Sequence, residues 1–215
     1  DQVEVSDRLP VVALRDLVFF PYVVLPILVG RRRSVAAIEY AQEHDGLLLL
    51  VAQKDPAVDD PGTADLFRVG TIARVIQVTR IPDGTSRVVL EGLGRAKIRR
   101  LTTTTEALRA SIELLVDREA ECSASDLPSE SAPANSGEAT ASATDEAWAA
   151  QATLTATVGK LYSEYALVHD RIPDELANTL PVDGDGIRFA HLVAGHLILP
   201  AVEKQEILET TTLPD

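Results

Sequence analysis

Few residues in this chain have the types and spacing that phosphate binding requires. No G-x-x-x-x-G-K-[ST] loop occurs, and Gly92-Leu93-Gly94 is followed by Lys97 where a G-x-G-x-x-G fingerprint needs its third glycine. The residues after these glycines continue a strand pattern, so no helix N-terminus would meet a phosphate there. We therefore expect a β-bend at these glycines and no cofactor bound by this chain.

The histidines and the single cysteine do not predict a metal centre or a catalytic nucleophile. His191 and His196 are five residues apart on a predicted helix, which places them about 140° away from a common direction. Cys122 lies in a stretch rich in Ser, Ala and Pro, where no fixed base would stabilise its thiolate. We expect no catalytic residue and no metal site. A single cysteine also allows no internal disulfide, which favours a reducing, cytoplasmic location.

The segment Phe19–Pro26 (FFPYVVLP) carries no charged residue. Most of it should enter the core, but a proline-bounded loop cannot bury every side chain, and the remainder would suit extended apolar peptides. The predicted hairpin tip at Ile81-Pro82 would add apolar surface beside it. Our hypothesis for a substrate-binding site therefore comprises Phe20, Pro21, Tyr22, Val23, Val24, Ile81 and Pro82.

Charge is distributed unevenly along the 215 residues. The chain has 20 Lys and Arg against 33 Asp and Glu, which gives a net charge of −13. Residues 1–100 carry 14 basic and 13 acidic residues, whereas residues 101–215 carry 6 and 20. This sign opposes general nucleic-acid binding, because the phosphate backbone is itself negative. With 46% hydrophobic and 25% charged residues, the composition is that of a globular protein with one large domain or two small ones.

The apolar stretch Val11–Gly30 has the length of a membrane span, but its residues argue against one. Arg15 and Asp16 lie inside it, and Pro21 and Pro26 would break a helix twice. No basic segment followed by an apolar one opens the chain, so no signal peptide is predicted. We expect buried strands joined by a loop, and no membrane partner.

The first half of the chain predicts a β-rich domain with one short helix. Helical spacing of apolar residues predicts that helix with Ser34 as its N-cap and Gly46 at its end. A long strand follows from Val69, and the sequence Ile81–Thr85 predicts a hairpin turn. Two short apolar runs, Leu9–Leu14 and Leu25–Val29, suit strands covered on both faces, and the apolar run Leu47–Ala52 predicts a central strand.

A change in composition separates the second half of the chain. Residues 122–144 are dominated by Ser, Ala, Pro, Thr and acidic residues and predict a flexible linker. Beyond them, large apolar residues recur at three- and four-residue steps and predict an amphipathic helix: Trp148, Leu154, Val158, Leu161, Tyr165 and Val168. Three shorter helices are predicted after it. We therefore divide the chain into a β-rich domain at 1–120, a linker at 121–144 and a helical bundle at 145–215.

Several short motifs occur along the first hundred residues: LPVVALRD at 9–16, FP at 20–21, PILVGR at 26–31, LVAQKDP at 50–56, VDDP at 58–61, RVGTIA at 68–73, LEG at 90–92 and RA at 95–96. Together these motifs resemble the N-terminal domain of the Lon family of ATP-dependent proteases. In addition, EKQEILE at 203–209 resembles the segment that closes the helical subdomain of that family. The resemblance therefore spans nearly the whole chain, apart from the insertion at 122–144.

The resemblance implies an α+β fold, in which a PUA-like β-rich subdomain with one short helix precedes an α-helical bundle. It implies a non-catalytic module that recognises unfolded or degron-bearing protein substrates for a hexameric AAA+ protease in protein quality control. Other Lon subunits would be its further partners. The Walker motifs and the Ser-Lys dyad of the family have no counterpart here, so ATP, Mg and proteolysis would belong to a full-length parent.

Two other functions stay open on the sequence alone. One is a stand-alone Lon-domain adaptor or ligand-binding protein with no ATPase attached. The other is an RNA-binding module, because PUA-like folds often bind RNA. The acidic second half of the chain argues against RNA unless the first half acts alone.

Overall fold

The computed structural model describes residues 8–82, 84–104, 107–115, 139–168 and 186–210. The chain divides into two units, one with residues 1–116 and 191–211 and one with residues 117–190 and 212–215. The described strands are β1 (Leu9–Leu14), β2 (Val24–Val29), β3 (Leu47–Ala52), β4 (Val69–Arg80), β5 (Ser86–Thr103) and β6 (Leu108–Leu115). The described helices are α1 (Arg32–Glu43), α2 (Ala139–Val168), α3 (Gly186–His196) and α4 (Ala201–Glu209).

Five of these strands close into a ring, and β2 lies outside it. β1 pairs with β3 in parallel, whereas β3 with β4, β4 with β5, β5 with β6 and β6 with β1 are antiparallel pairs. Among the described strands, β2 has β5 as its single neighbour, so β2 is an edge strand. The prediction of a β-rich mixed sheet with a few helices is confirmed, and the PUA-like assignment stays a prediction.

The length of β5 makes this arrangement possible. Along one edge of its 18 residues, β5 pairs with β4 over Ser86–Lys97. Its other edge is shared, because β2 pairs with Ser86–Glu91 and β6 pairs with Arg95–Thr103. Gly92–Gly94 therefore lies where one neighbouring strand ends and the other begins.

Alternate residues of β3 face two separate cores. Leu47, Leu49 and Val51 belong to a cluster that draws on all five strands of the ring and so fills its interior. Leu48 and Leu50 belong to a second cluster, which packs the outer side of the sheet under α1. All six residues of β3 are buried and β3 has a neighbouring strand on each edge, which confirms the prediction of a central strand.

The helix α1 begins three residues earlier than the sequence predicts, with Arg31 and not Ser34 at the N-cap position. Ser34 is predicted as its N-cap, but Val35 N–H already donates to the carbonyl of Arg31 (2.9 Å), so Ser34 lies inside the first turn and is buried. No side chain caps this helix at its first residue. The predicted end is confirmed, because Gly46 has φ of 72° and its N–H donates to the carbonyl of Ala41 (2.8 Å).

The hairpin between β4 and β5 is the predicted one. Ile81 N–H donates to the carbonyl of Thr85 (2.8 Å), which closes the turn. Gly84 has φ of 86°, a left-handed conformation that glycine adopts without steric cost. Asp83 lies outside the described residues.

The C-terminal helix α4 packs against the sheet. Leu208 is 1% exposed, and Gln205 Nε2 donates to the carbonyl of Val69 at the start of β4 (3.0 Å). Arg95 of β5 is 3% exposed and donates to the carbonyls of Leu208 (2.8 Å) and Thr210. Its positive charge thus meets the carbonyl end of the helix, where a cation is stabilising.

The described helices fall into the two units, and the prediction of one bundle at 145–215 stays a prediction. Residues 191–211 group with the sheet because of the contacts that α4 makes there. The helix α2 begins at Ala139, inside the segment 121–144 that the sequence assigns to a linker. Residues 121–138 lie outside the described residues, so the linker and the domain limits at 120 and 144 stay predictions.

Within the second unit, α2 buries only part of its apolar side. Tyr162 and Ala166 are buried, and a Cβ at Gly159 would lie 3.6 Å from the ring of Phe189. Three residues of the predicted apolar stripe are instead exposed: Leu154, Leu161 and Val168. Trp148 lies within the helix, and its side chain is outside what the structure describes.

Replacing Arg95 should measure how strongly α4 is held on the sheet. Arg95→Ala should lower the free energy of unfolding by about 2–3 kcal/mol, because two helix carbonyls lose a charged donor. Arg99→Ala on the same strand is the matched control, since Arg99 is exposed and pairs with Glu113 (2.6 Å). It should cost less than about 1 kcal/mol in urea unfolding. Equal losses in the two variants would contradict the role given to Arg95.

Candidate functional site

An apolar strip runs along β2. Val24, Pro26 and Leu28 alternate in sequence and so point to one face of the strand. All three are exposed, Val24 to 52% and Leu28 to 72%. Ile27 and Val29 point to the opposite face and are buried in the cluster under α1. The strand β2 thus has one face in the core and one apolar face in solvent, so the prediction that Leu25–Val29 is covered on both faces is wrong.

The strip continues onto the two neighbouring strands. Val89 of β5 pairs with Pro26 and is half-buried. Ile76 of β4 occupies the irregularity where the register shifts between Val75 and Gln77, and its side chain is 53% exposed. We call the five apolar residues of this surface the β2 face: Val24, Pro26, Leu28, Ile76 and Val89.

Charged side chains border the β2 face at both ends. Glu91 lies opposite Val24 and forms an ion pair with Arg74 (3.6 Å). Arg87 lies opposite Leu28 at the other end and is exposed. The β2 face is therefore an apolar strip with polar rims, which is the composition of surfaces that bind other polypeptides.

Backbone hydrogen bonds fix the loop that leads into β2. Tyr22 N–H donates to the carbonyl of Gly92 (2.8 Å), and Gly92 N–H donates to the carbonyl of Val23 (2.9 Å). Tyr22 has φ of 64°, which turns the chain sharply at this point. A Cβ at Gly92 would lie 2.2 Å from the carbonyl oxygen of Phe20, so only glycine fits there.

The large side chains of this loop serve the core. Phe20 and Val23 pack in a cluster with Leu208 of α4. The ring centroids of Phe20 and Tyr22 lie 6.1 and 6.3 Å from that of His191 in α3. Phe20 is 1% exposed, whereas Tyr22 is 39% exposed and reaches solvent beside the strip.

The structure divides the seven residues of the predicted site by burial. Phe20, Pro21 and Val23 are buried and offer no surface to a ligand in this conformation. Four residues keep accessible surface, with Ile81 half-buried and the others exposed: Tyr22, Val24, Ile81 and Pro82. The burial of Phe20 and Val23 follows from packing against α3 and α4, which are distant in sequence.

The accessible residues of the predicted site lie at opposite ends of β2. Val24 pairs with Glu91, whereas Val29 pairs with Ser86, next to the hairpin tip. Five residue steps along a strand correspond to about 17 Å, so the loop and the hairpin tip do not meet. The exposed residues that connect them, which the sequence hypothesis missed, are Pro26 and Leu28. The proline was the available signal, because a proline within a strand marks a sheet edge.

Two basic groups lie in partly dehydrated positions. Burial lowers the pKa of Lys204, whose Nζ donates to the carbonyl of Gly195 near the end of α3 (2.9 Å). Burial also lowers the pKa of Arg31, and repulsion by the positive charge of Arg15 lowers it further. The Arg31 guanidinium donates to the side chain of Gln53, just after β3. Both groups hold backbone segments in place.

Neither a metal-ligand cluster nor a membrane-spanning helix occurs in the part of the chain that the structure describes. No three His, Cys, Asp or Glu side chains are grouped there so that they could hold a metal ion. No helix there is long and apolar enough to cross a membrane. Cys122 lies outside the described residues.

The fold has a counterpart among solved structures. The N-terminal domain of Mycobacterium avium complex Lon protease matches with a TM-score of 0.50 over 88% of this chain and 100% of that one. The two sequences are 20% identical, so this match shows the fold alone. The chain therefore has the β-rich fold of that N-terminal domain.

The sequence comparisons give the family. The model of the ATP-dependent protease La (LON) substrate-binding domain matches residues 8–215. The Lon proteases of Escherichia coli (strain K12) and Xanthomonas oryzae pv. oryzae are 35% identical over 208 residues and 36% identical over 212. The chain belongs to the LON substrate-binding domain family, which confirms the resemblance. These matches cover 96% and 99% of this chain but 23% and 22% of those relatives, so it spans less than a quarter of their length.

Substitution of Gly92 should show that the loop requires a residue without a side chain at this position. Gly92→Ala should lower the free energy of unfolding by about 2 kcal/mol or more, because its Cβ would collide with backbone. Gly94→Ala is the matched control on the same strand, since a Cβ there would meet nothing within 4 Å. It should change stability by less than about 1 kcal/mol. Urea unfolding checks both, and a tolerated Gly92→Ala would refute the close approach.

The buried amine of Lys204 should make stability depend on pH in the alkaline range. Its pKa is held below the ordinary value of 10.5, so the unfolded state binds this proton more tightly than the folded state. The free energy of unfolding of the unsubstituted chain, minus that of Lys204→Met, should therefore increase with pH. The increase should occur between the pKa of Lys204 in the folded state and its ordinary value of 10.5. Unfolding free energies of both proteins, measured stepwise upward from pH 7, test this. A constant difference would contradict it.

Proposed function

We propose that this chain is the non-catalytic substrate-recognition module of a Lon-type ATP-dependent protease and captures unfolded or degron-bearing protein chains on the β2 face. One observation carries the proposal: alternate apolar residues of an edge strand are exposed on an otherwise well-packed sheet. The family supplies the class of ligand, because its model describes a substrate-binding domain. ATP, Mg and proteolysis would belong to the parts of a Lon protease outside this chain.

The chemistry of the β2 face suits a ligand that is defined by apolar side chains. Each Å² of apolar surface that stays in water loses about 25 cal/mol of the stabilisation that burial would provide. An exposed apolar strip is therefore expected where another molecule covers it transiently. A strip without fixed polar partners accepts many sequences at modest affinity. Unfolded chains present apolar runs that folded proteins bury, so the same surface would discriminate between the two.

The contact residues of this proposal revise the sequence hypothesis. Tyr22 extends the β2 face at one end, and Ile81 and Pro82 are available beyond its other end. The buried residues Phe20 and Val23 act indirectly, since they anchor the loop that leads into β2. A bound segment would thus run along the strand and not across a loop pocket.

The proposal includes other Lon subunits as partners, in the cytoplasm. A module with modest affinity gains from repetition, because linked copies that engage one chain raise the avidity by about 10²–10⁴. Assembly into a hexamer would supply six such modules. We propose that this chain helps that assembly. The presence of a single cysteine fits a reducing compartment such as the cytoplasm, in which the assembly would form.

Replacing two residues of the β2 face should weaken capture without affecting the fold. The double variant Val24→Ser, Leu28→Ser should bind a protein kept unfolded by reduction and alkylation at least about tenfold more weakly, because two apolar contacts are lost. The matched control is Val202→Ser on α4, since Val202 is 54% exposed and apolar like Val24. Amide NMR titrations measure affinity and location together.

The positions of the residues whose amide chemical shifts change show whether the β2 face is the binding site. Shifts on β2 and β5 with the unfolded protein, and none with the same protein folded, would support the proposal. Equal binding by the double variant and the control would refute the β2 face as the site.

A further inference from the structure

The hydrogen bonds around β2 determine which of its backbone groups are left free. Gly92 N–H donates to the carbonyl of Val23, so Val23 and Gly92 occupy a hydrogen-bonded position of the antiparallel ladder. Such positions alternate along a strand, so the next residues that bond β5 are Leu25, Ile27 and Val29. The backbone groups that point away from β5 are the N–H and C=O of Val24 and Leu28 and the C=O of Pro26.

The opposite edge of β5 gives the same assignment independently. Ile81 N–H donates to the carbonyl of Thr85, which marks that pair as hydrogen-bonded between β4 and β5. Alternation then directs the backbone groups of Arg87 and Val89 towards β4. Val88 between them must bond β2, as its pairing with Ile27 requires.

A groove of about 440 Å³ lies beside the free edge of β2. Its walls include the second half of β1 with Arg15 after it, and the run Pro26–Gly30, in which Gly30 follows β2. β1 and β2 do not pair with each other in the sheet. The free edge therefore adjoins open space that an extended chain could enter, and such edges are templates for strand addition.

Pro26 occupies the middle of that free edge. Val24 and Leu28 each direct an N–H and a C=O towards it, but Pro26 offers a C=O alone and its ring fills the place of the missing hydrogen. A strand added along β2 would lose its central backbone donor and would meet the pyrrolidine ring. The side chain of Pro26 is meanwhile exposed in the centre of the β2 face.

We propose that Pro26 closes the edge of β2 to strand addition, so that the β2 face holds apolar segments by their side chains alone. The ligand in this inference rests on the proposed function, whereas the closed edge is a property of this chain by itself. Main-chain pairing would add affinity that is independent of sequence, and it would also join copies of the domain to one another. A proline at this position prevents both.

Backbone methylation of a peptide separates the two modes of binding. The probe is a ten-residue peptide with apolar side chains at alternate positions, together with versions N-methylated at all odd or all even positions. An edge-paired peptide uses only one of these two sets of N–H groups, because they point to opposite sides of a strand. The unsubstituted chain should bind the two methylated peptides equally, to within about twofold.

The variant Pro26→Val restores the missing donor. It should bind the unmethylated peptide about five- to tenfold more tightly, and only one of the methylated peptides should keep this gain. Adding Leu28→Pro to that variant returns a proline to the same edge and should abolish the discrimination between the methylated peptides. Discrimination by the unsubstituted chain, or no gain in Pro26→Val, would overturn the proposal. Thermal unfolding checks that each variant is folded.

A second measurement tests the closed edge if none of the peptides binds to the unsubstituted chain. That result would count against the proposed function, but Pro26→Val should still self-associate through its opened edge. Sedimentation velocity at high micromolar concentration should then show more dimer for Pro26→Val than for the unsubstituted chain. An unchanged distribution would refute the role of Pro26.

Discussion

One edge of β5 is shared by two strands, and the rest of the domain is arranged around the point where they meet. β2 and β6 divide that edge, which leaves Gly92–Gly94 at the junction. The missing side chain of Gly92 lets the loop that leads into β2 cross there in direct backbone contact. Arg95 follows immediately and binds the carbonyl end of α4. The ring, the loop and the C-terminal helix are thus joined within a few residues of one strand.

The same junction explains why an apolar surface is left in solvent. Pairing with β5 directs Ile27 and Val29 towards α1, and no second layer of the described residues covers the opposite face. An exposed apolar edge strand invites aggregation unless its backbone is blocked. Pro26 blocks it at the centre while contributing apolar surface, so one residue meets both requirements.

The elements that could be predicted from the sequence are those with local signals. The strand at Leu47–Ala52 and the turn at Ile81–Thr85 carry such signals in their own residues, and both are confirmed. The exposed face of β2 could not be predicted, because both alternating sets of the strand are apolar. The hydrogen bonds that hold α4 join residues 113 and 136 positions apart, and no local pattern records them. Burial of Phe20 and Val23 depends on that same distant packing.

Weak recognition is consistent with the proposed role. A surface that must accept many unfolded sequences and release them into a protease gains nothing from a single long-lived contact. Backbone pairing would provide such a contact, because each added ladder bond holds any sequence. A face limited to side chains would keep each contact weak, and repetition in the proposed ring would restore the avidity for a chain that spans several modules. In the proposed capture mechanism, the closed edge of β2 and the multiplicity of the ring would therefore be complementary requirements.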